Sequence, residues 1–254
     1  MLVGRRLGHS FSANYFNDRF RKEHRNAHYS LCEIETIQEL PQRIQSMPGL
    51  VGFNVTIPYK EEIIPFIDEL TPLADTVGAV NTVKVISDAK SPKGYRLKGH
   101  NTDVEGFMES LRTAVINREK SGTALVLGSG GASKAVCAGL RELGFEPTVV
   151  SRHCGKGVTE YNELTPEQVW QADIIVNATP AGMYPETNCA PPFPFQYMRH
   201  NGITSRPRQI AFDLVYNPEE TLFMKICSAH GAITMNGLAM LHRQAEAAWS
   251  FWQS

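Results

Sequence analysis

Short apolar runs alternate with amphipathic stretches along this chain, the pattern of an α/β protein with mainly parallel sheets. In the first hundred residues, segments 29–34 and 51–55 read as strands, and 14–23 and 37–46 as helices. Pro48-Gly49 closes the second helix. Runs 79–86 and 95–98 flank the turn Ser91-Pro92-Lys93-Gly94 and predict a hairpin. A helix over 104–117 follows, with Phe107, Leu111, Ala114 and Val115 on a single face.

Beyond the polar segment 117–122 the pattern changes. An apolar run at 124–127 ends in glycines, then come a helix at 132–143 and a strand at 148–150. Further strand-like runs occur at 173–176 and 209–215, so the second half reads as a βαβ opening followed by the rest of a nucleotide-binding sheet. The proline-rich stretch 185–194 reads as a surface loop. The final helix, about 238–252, carries Leu238, Leu241, Ala245, Ala248, Trp249 and Trp252 on one stripe, which predicts docking against another element. The expected organisation is two domains, 1–103 and 104–237, with 238–254 returning to the first.

Composition narrows the class. The chain has 254 residues, 42% hydrophobic and 20% charged, with enough apolar side chains for a real core. Its 25 basic and 26 acidic residues leave a formal charge of -1, which argues against a nucleic-acid surface. No run of about 18 apolar residues predicts a membrane span. The N-terminal segment MLVGRRLGHSFS lacks the apolar core of a secretory signal, and a cytoplasmic protein is expected. The five cysteines form no CxxC pair and the eight histidines no HExxH, so free thiols and no protein-borne metal are expected.

The clearest chemical motif is Gly128-Ser129-Gly130-Gly131-Ala132 at the end of an apolar strand, where a helix opens at once. Glycines allow the tight turn and let backbone N–H groups approach a diphosphate at the positive end of a helix. The spacing is GxGGxxxA rather than GxGxxG, so the turn alone also fits a glycine-rich corner that binds nothing. The next strand decides further. It ends in Ser151-Arg152-His153, with no carboxylate to take ribose hydroxyls. Arg152 can clamp a 2′-phosphate with its planar fork, and Lys156 adds a second cation; NADP is favoured over NAD.

Four polar clusters mark the first half. Gly8-His9-Ser10-Phe11-Ser12 places two hydroxyls on one side of what reads as an extended segment. NVTIPYK at 54–60 ends a strand in a polar group closed by Lys60. GAVNT at 78–82 and GHNTD at 99–103 each follow a glycine with Asn-Thr. Singly, each fits turn chemistry, and Asp103 fits a helix cap. Together, upstream of a cofactor domain, they point to a polar small-molecule ligand.

With HSFS, NVTIPYK, GAVNT, GHNTD, GSGGASKA, NATPAGM, DLVYNP and NGLAMLHRQA in this order over essentially the whole chain, the sequence resembles the shikimate dehydrogenase family. The resemblance implies a two-domain α/β architecture: an N-terminal α/β substrate-binding domain, a C-terminal Rossmann-like NADP-binding domain and an interdomain cleft. It implies reversible, NADPH-dependent reduction of 3-dehydroshikimate to shikimate, a step of aromatic amino-acid biosynthesis. Lys60 and Asp103 fall on the family's essential lysine and aspartate. Ser10 and Ser12 fall on the serines that hold the substrate carboxylate, and Thr56, Asn81, Tyr216 and Gln244 on substrate-contacting positions. Gly128 to Ala132 take the diphosphate turn, Ser151, Arg152 and Lys156 the 2′-phosphate region, and Thr179, Leu214, Gly237 and Met240 the nicotinamide end.

The sequence departs from the family in three places. Ala13 replaces a usual proline, Ser151-Arg152-His153 stands for Asn-Arg-Thr, and Ser129 replaces a common alanine. A lysine can pass a proton to a forming alkoxide and polarise the carbonyl; the residues leave open whether Lys60 or Asp103 carries it. Within the class, a dual quinate and shikimate dehydrogenase is the alternative, which the paired serines disfavour. A methylenetetrahydrofolate dehydrogenase type would lack the Asn-Thr-Asp cluster. Outside it stands a non-catalytic shikimate or quinate sensor, against which Lys60 and Asp103 speak. Family members are monomers or homodimers.

Overall fold

The chain divides into two compact units, Met1–Thr102 with Ala245–Ser254, and Asp103–Gln244. The computed structural model describes residues 1–8, 11–116, 122–152, 155–200 and 207–254.

The first unit contains β1 (Leu2–Gly4), α1 (Phe11–Lys22), β2 (Leu31–Glu33), α2 (Leu40–Gln45), β3 (Gly52–Val55), β4 (Glu69–Leu70), α3 (Pro72–Val77), β5 (Thr82–Ser87) and β6 (Tyr95–His100). Its strands form one sheet in the order β2-β1-β3-β5-β6-β4. Strands β2, β1 and β3 run parallel, and β5 runs antiparallel to β3 and β6. Alternation along β1 sends Val3 into one apolar cluster, with Phe53, Tyr59, Val83, Ile37 and Leu40. Leu2 enters another with Phe16, Phe20, Tyr29, Ala248 and Trp252. The Trp252 indole N–H donates to the Val83 carbonyl at 3.0 Å, tying the chain's C-terminal end to this sheet.

The sequence pattern misses β1, although it lies between β2 and β3; three residues are too few to show a period. The predicted helix at 14–23 begins earlier, at Phe11. Phe11 stacks on Tyr15, so the apolar face extends back one turn. The predicted helix at 37–46 is a 3-10 turn at Ile37–Glu39 leading into α2.

The second unit holds all but the first residue of α4 (Thr102–Val115), then β7 (Thr123–Leu127), α5 (Gly131–Glu142), β8 (Glu146–Ser151), β9 (Val158–Glu160), α6 (Pro166–Gln171), β10 (Ile174–Asn177), β11 (Ile210–Asp213), α7 (Leu222–Ala229) and β12 (Ile233–Met235). The last helix, α8 (Leu238–Gln253), belongs to this unit up to Gln244 and to the first from Ala245. The sheet order is β12-β11-β10-β7-β8-β9, all parallel. Counted from β7, this is the 3-2-1-4-5-6 order of a dinucleotide-binding sheet. Its central strands are buried on both faces. Val126, Val176 and Phe212 pack with Phe107, Leu111, Val136 and Leu140 on one side. Leu127, Ile175 and Ala211 pack with Val169, Phe223 and Cys227 on the other.

Two expectations are corrected here. The proline-rich stretch does not run wholly over the surface, because Phe193 is 4% exposed and stacks edge-on against Phe195. Leu238 is 39% exposed and leaves the α8 stripe, whose buried positions are Met240, Ala245, Ala248 and Trp252. The short elements β9, α6, α7 and β12 carry too few residues for a readable period. Of α6, the capping box Thr165 to Gln168 with Pro166 was the legible signal.

Candidate active site

In the first unit the C-terminal ends of β1, β3 and β6 and the start of β5 meet at one edge of the sheet, where open α/β sheets bind ligands. The antiparallel register pairs Thr82 with both Asn54 and His100. That register brings the two Asn-Thr motifs side by side. The Asn81 amide oxygen accepts from the Thr102 N–H at 2.8 Å and from the Thr102 and Thr82 hydroxyls at 3.1 Å. Three donors on one oxygen fix the orientation of the Asn81 amide. Asn101 donates to the Ala79 carbonyl at 2.9 Å, and Asn81, Thr82, Asn101 and Thr102 are all buried.

Thr56 follows β3 directly. Its N–H donates to the Val3 carbonyl and its own carbonyl accepts from Tyr59, which wraps the chain into the turn carrying Lys60. Tyr59 is fully buried and donates its hydroxyl to the Ile34 carbonyl at 2.8 Å, anchoring that turn in the core. The Lys60 carbonyl accepts from the Val80 N–H at 2.7 Å; Lys60 itself is half-buried. So Thr56, Lys60 and Asn81 come together. Ser12 is half-buried in the first turn of α1, not on an extended segment, because the helix starts before it. Ser10 lies outside the described residues, as do His9, His153 and Cys154.

Asp103, Tyr216 and Gln244 belong to the second unit. Asp103 is buried inside the first turn of α4, which begins at Thr102, rather than at the capping position. Tyr216 is 37% exposed, and burial of the rest pushes its phenol above the usual value. Gln244 lies where α8 crosses α4 closely: a Cβ at Gly106 would come within 3.0 Å of the Gln244 nitrogen.

The glycine turn links β7 to α5. Gly128 has φ +112°, a conformation that L side chains rarely adopt, and a Cβ there would meet the Ala178 carbonyl at 3.0 Å and Thr179 Cγ2 at 3.1 Å. Gly130 caps α5 with no side-chain acceptor, and a Cβ on it would meet nothing within 4 Å. A helix N-terminus without a capping side chain is a site for an anion. Ser129 and Ser151 share a hydrogen bond of 3.2 Å, joining the turn to the end of β8. Gly131 and Ala132 open the helix, and Arg152 and Lys156 are exposed beyond Ser151. These residues fit a dinucleotide with a charged 2′-substituent.

A second group gathers at the ends of β10 and β11. A Cβ at Gly237 would fall 2.0 Å from the Leu214 carbonyl oxygen, so only glycine fits beside Leu214. Met240, by contrast, is buried in the core cluster of this unit. Thr179 donates its hydroxyl to the Asn177 amide oxygen at 2.6 Å. The Asn177 amide nitrogen donates to Asp213 at 2.9 Å, and Asp213 also accepts from the Val215 N–H and the Thr221 hydroxyl. Asn177, Asp213 and Thr221 were not singled out as site residues from sequence. NATPAGM and DLVYNP held the first two, but only strand register joins them.

Burial pushes the Asp213 carboxyl up to about 6, against hydrogen bonds from Thr221, Val215 and Asn177 that pull it down. The folded protein therefore holds this proton more tightly than the unfolded chain, whose aspartates titrate near ~3.9. Its contribution to stability is present below that value and is lost as pH rises to about 6. Asp213→Asn is expected to gain stability over the parent by an amount that grows between pH 4 and 7, on the order of 2 kcal/mol. Urea denaturation of both proteins at several pH values checks this; a pH-independent difference contradicts it.

Among the described residues, no group of three or more His, Cys, Asp or Glu is placed to hold a metal, and no helix is long and apolar enough to cross a membrane. Cys32, Cys137, Cys189 and Cys227 are free thiols.

Comparison with known proteins agrees with this geometry. Residues 2–83 match the substrate binding domain of shikimate dehydrogenase. An NADP(+) shikimate dehydrogenase of Caldanaerobacter subterraneus subsp. tengcongensis is 34% identical, over 99% of this chain and 90% of the relative. A crystal structure of shikimate dehydrogenase 1 from Peptoclostridium difficile superposes with a TM-score of 0.81 at 35% identity, covering 99% of this chain and 90% of that one. The Thermus thermophilus enzyme, solved with NADP(H) and shikimate, gives a TM-score of 0.80 at 30% identity, with 99% and 91% covered. The chain belongs to the shikimate dehydrogenase family.

Proposed function

We propose that the protein catalyses the reversible, NADPH-dependent reduction of 3-dehydroshikimate to shikimate. The observation that carries this reading is the convergence of Thr56, Lys60 and Asn81 at one sheet edge, held by the buried Asn-Thr network, in a chain whose other unit has an anion-ready glycine turn. Family membership supplies the substrate class.

The hydroxyls of Ser10 and Ser12 hold the substrate carboxylate. Thr56, Asn81, Tyr216 and Gln244 bind the ring oxygens; the Asn81 amide oxygen is already engaged by Thr82 and Thr102, so its N–H groups serve as donors. NADPH, when bound, supplies the hydride. Lys60 polarises the carbonyl and gives its proton to the forming alkoxide oxygen, and takes it back from the hydroxyl in the reverse direction. Asp103, on the family's essential aspartate, is the second member of the proton-transfer pair. The turn from Gly128 to Ala132 holds the diphosphate through the backbone N–H groups that follow Gly128, whose own N–H is held by the Val150 carbonyl, with Ser129 at the turn. Ser151, Arg152 and Lys156 hold the 2′-phosphate. Thr179, Leu214 and Gly237 form the wall at the nicotinamide end, with Met240 in the core against which Leu214 packs.

Arg152→Ala tests the cofactor assignment. It is expected to raise KM for NADP by about 10-fold or more, the loss of one charge-assisted bidentate contact, and to leave KM for NAD nearly unchanged. Equal changes for both cofactors would remove Arg152 from 2′-phosphate recognition.

A further inference from the structure

Asp213 is fully buried, and its partners are an amide, a hydroxyl and a backbone N–H, with no cation among them. A buried carboxylate without a countercharge is destabilising, so its presence calls for a reason other than stability. Its hydrogen bonds supply one. An ionised carboxylate only accepts, so Asp213 fixes the Asn177 amide with nitrogen towards itself and oxygen away. That oxygen then accepts both the N–H and the hydroxyl of Thr179, at 3.0 and 2.6 Å. The Thr179 hydroxyl is thereby set as a donor to Asn177, while its oxygen accepts from the Ala181 N–H at 3.2 Å.

The same pair sets the neighbouring segment. The Leu214 N–H donates to the Asn177 carbonyl at 3.0 Å, and the Val215 N–H to the Asp213 carboxylate, also at 3.0 Å. Thr179 lies against the Gly128 turn and the Leu214 carbonyl against Gly237. One relay thus aligns two walls that come from strands 36 residues apart in sequence.

We infer that Asp213 and Asn177 are positioning residues, which hold Thr179 and the Leu214–Val215 backbone in the geometry that seats the nicotinamide ring for hydride transfer. This rests on the reading of Thr179, Leu214 and Gly237 as cofactor residues. It assigns no contact of Asp213 with substrate or cofactor.

Asp213→Asn tests it, since asparagine keeps the shape but can donate to Asn177, so the relay loses its single polarity. Steady-state kinetics with shikimate and NADP near pH 8 are expected to show kcat lowered about 10-fold or more, as for a small misplacement of a reacting group. KM for shikimate stays within about twofold, and the melting temperature does not fall. A kcat within about twofold of the parent overturns the inference, whatever the melting temperature does. If the variant fails to fold, Thr221→Val, which removes the hydroxyl donor to the carboxylate together with the cap on the Met224 N–H, carries the same measurement.

NADPH titration followed by nicotinamide fluorescence keeps the inference separate from the proposed function. The parent is expected to enhance the emission; the variant is expected to bind NADPH with a similar dissociation constant and less enhancement. Should the parent bind NADPH without turning over shikimate, the proposed function fails, and the inference is decided by that emission alone. Identical emission from parent and variant overturns it.

Discussion

Replacing Lys60 by alanine is expected to lower kcat by roughly 10²-fold or more, the usual contribution of a general acid–base group, with little change in stability. The turn that carries the residue is held by its backbone and by its neighbour. The Lys60 backbone is held by the Val80 N–H, and Tyr59 anchors the turn through its buried hydroxyl bond to Ile34. KM for shikimate is expected to move far less than kcat, because the proton is required in the transition state more than in the bound ground state. Circular dichroism melting alongside steady-state kinetics checks both parts. Parent-like turnover in a folded Lys60→Ala protein would remove Lys60 from the chemistry.

The largest effect on stability is expected at Arg199, a residue with no part in the site. It is 4% exposed, and its guanidinium donates to the carbonyls of Trp170, Gln171, Ala172 and Pro207 and to the Asp173 carboxylate. Three of those carbonyls lie at the end of α6, where helix carbonyls have no partner within the helix. Truncation takes the charged donor away from all of them at once, leaving Gln209 on the Ala172 carbonyl and Thr123 on the Gln171 carbonyl and the Asp173 carboxylate. Arg199→Ala is therefore expected to cost about 3–5 kcal/mol, the range for breaking a buried charged network. Arg199→Lys restores only part, since a compact ammonium cannot serve acceptors spread around a planar fork. Urea denaturation measures both, and a loss below about 1 kcal/mol for the alanine variant would contradict the account.

These two residues show what a sequence discloses and what it withholds. Lys60 stands in a polar cluster at the end of an apolar strand, and local pattern was enough to mark it. The glycine turn was equally visible, because strand, turn and helix are consecutive in the chain. Arg199 gave no local sign: its partners lie 26 to 29 residues upstream and eight downstream. Asn177 and Asp213 are alike in this, meeting only through the register of β10 and β11. Strand β1 lies inside its sheet but has three residues, so periodicity had nothing to act on. At Ser12 the local reading erred, since the serine sits one residue inside a helix whose apolar face reaches back to Phe11.

The central claim is a matter of substrate and cofactor together. The most direct measurement is absorbance at the NADPH band with purified protein, supplying shikimate or quinate, each with NADP or NAD. The account predicts fast reduction with shikimate and NADP, and slow or undetectable reduction in the other three combinations. Comparable turnover of quinate or of NAD, or tight shikimate binding without any turnover, would contradict it.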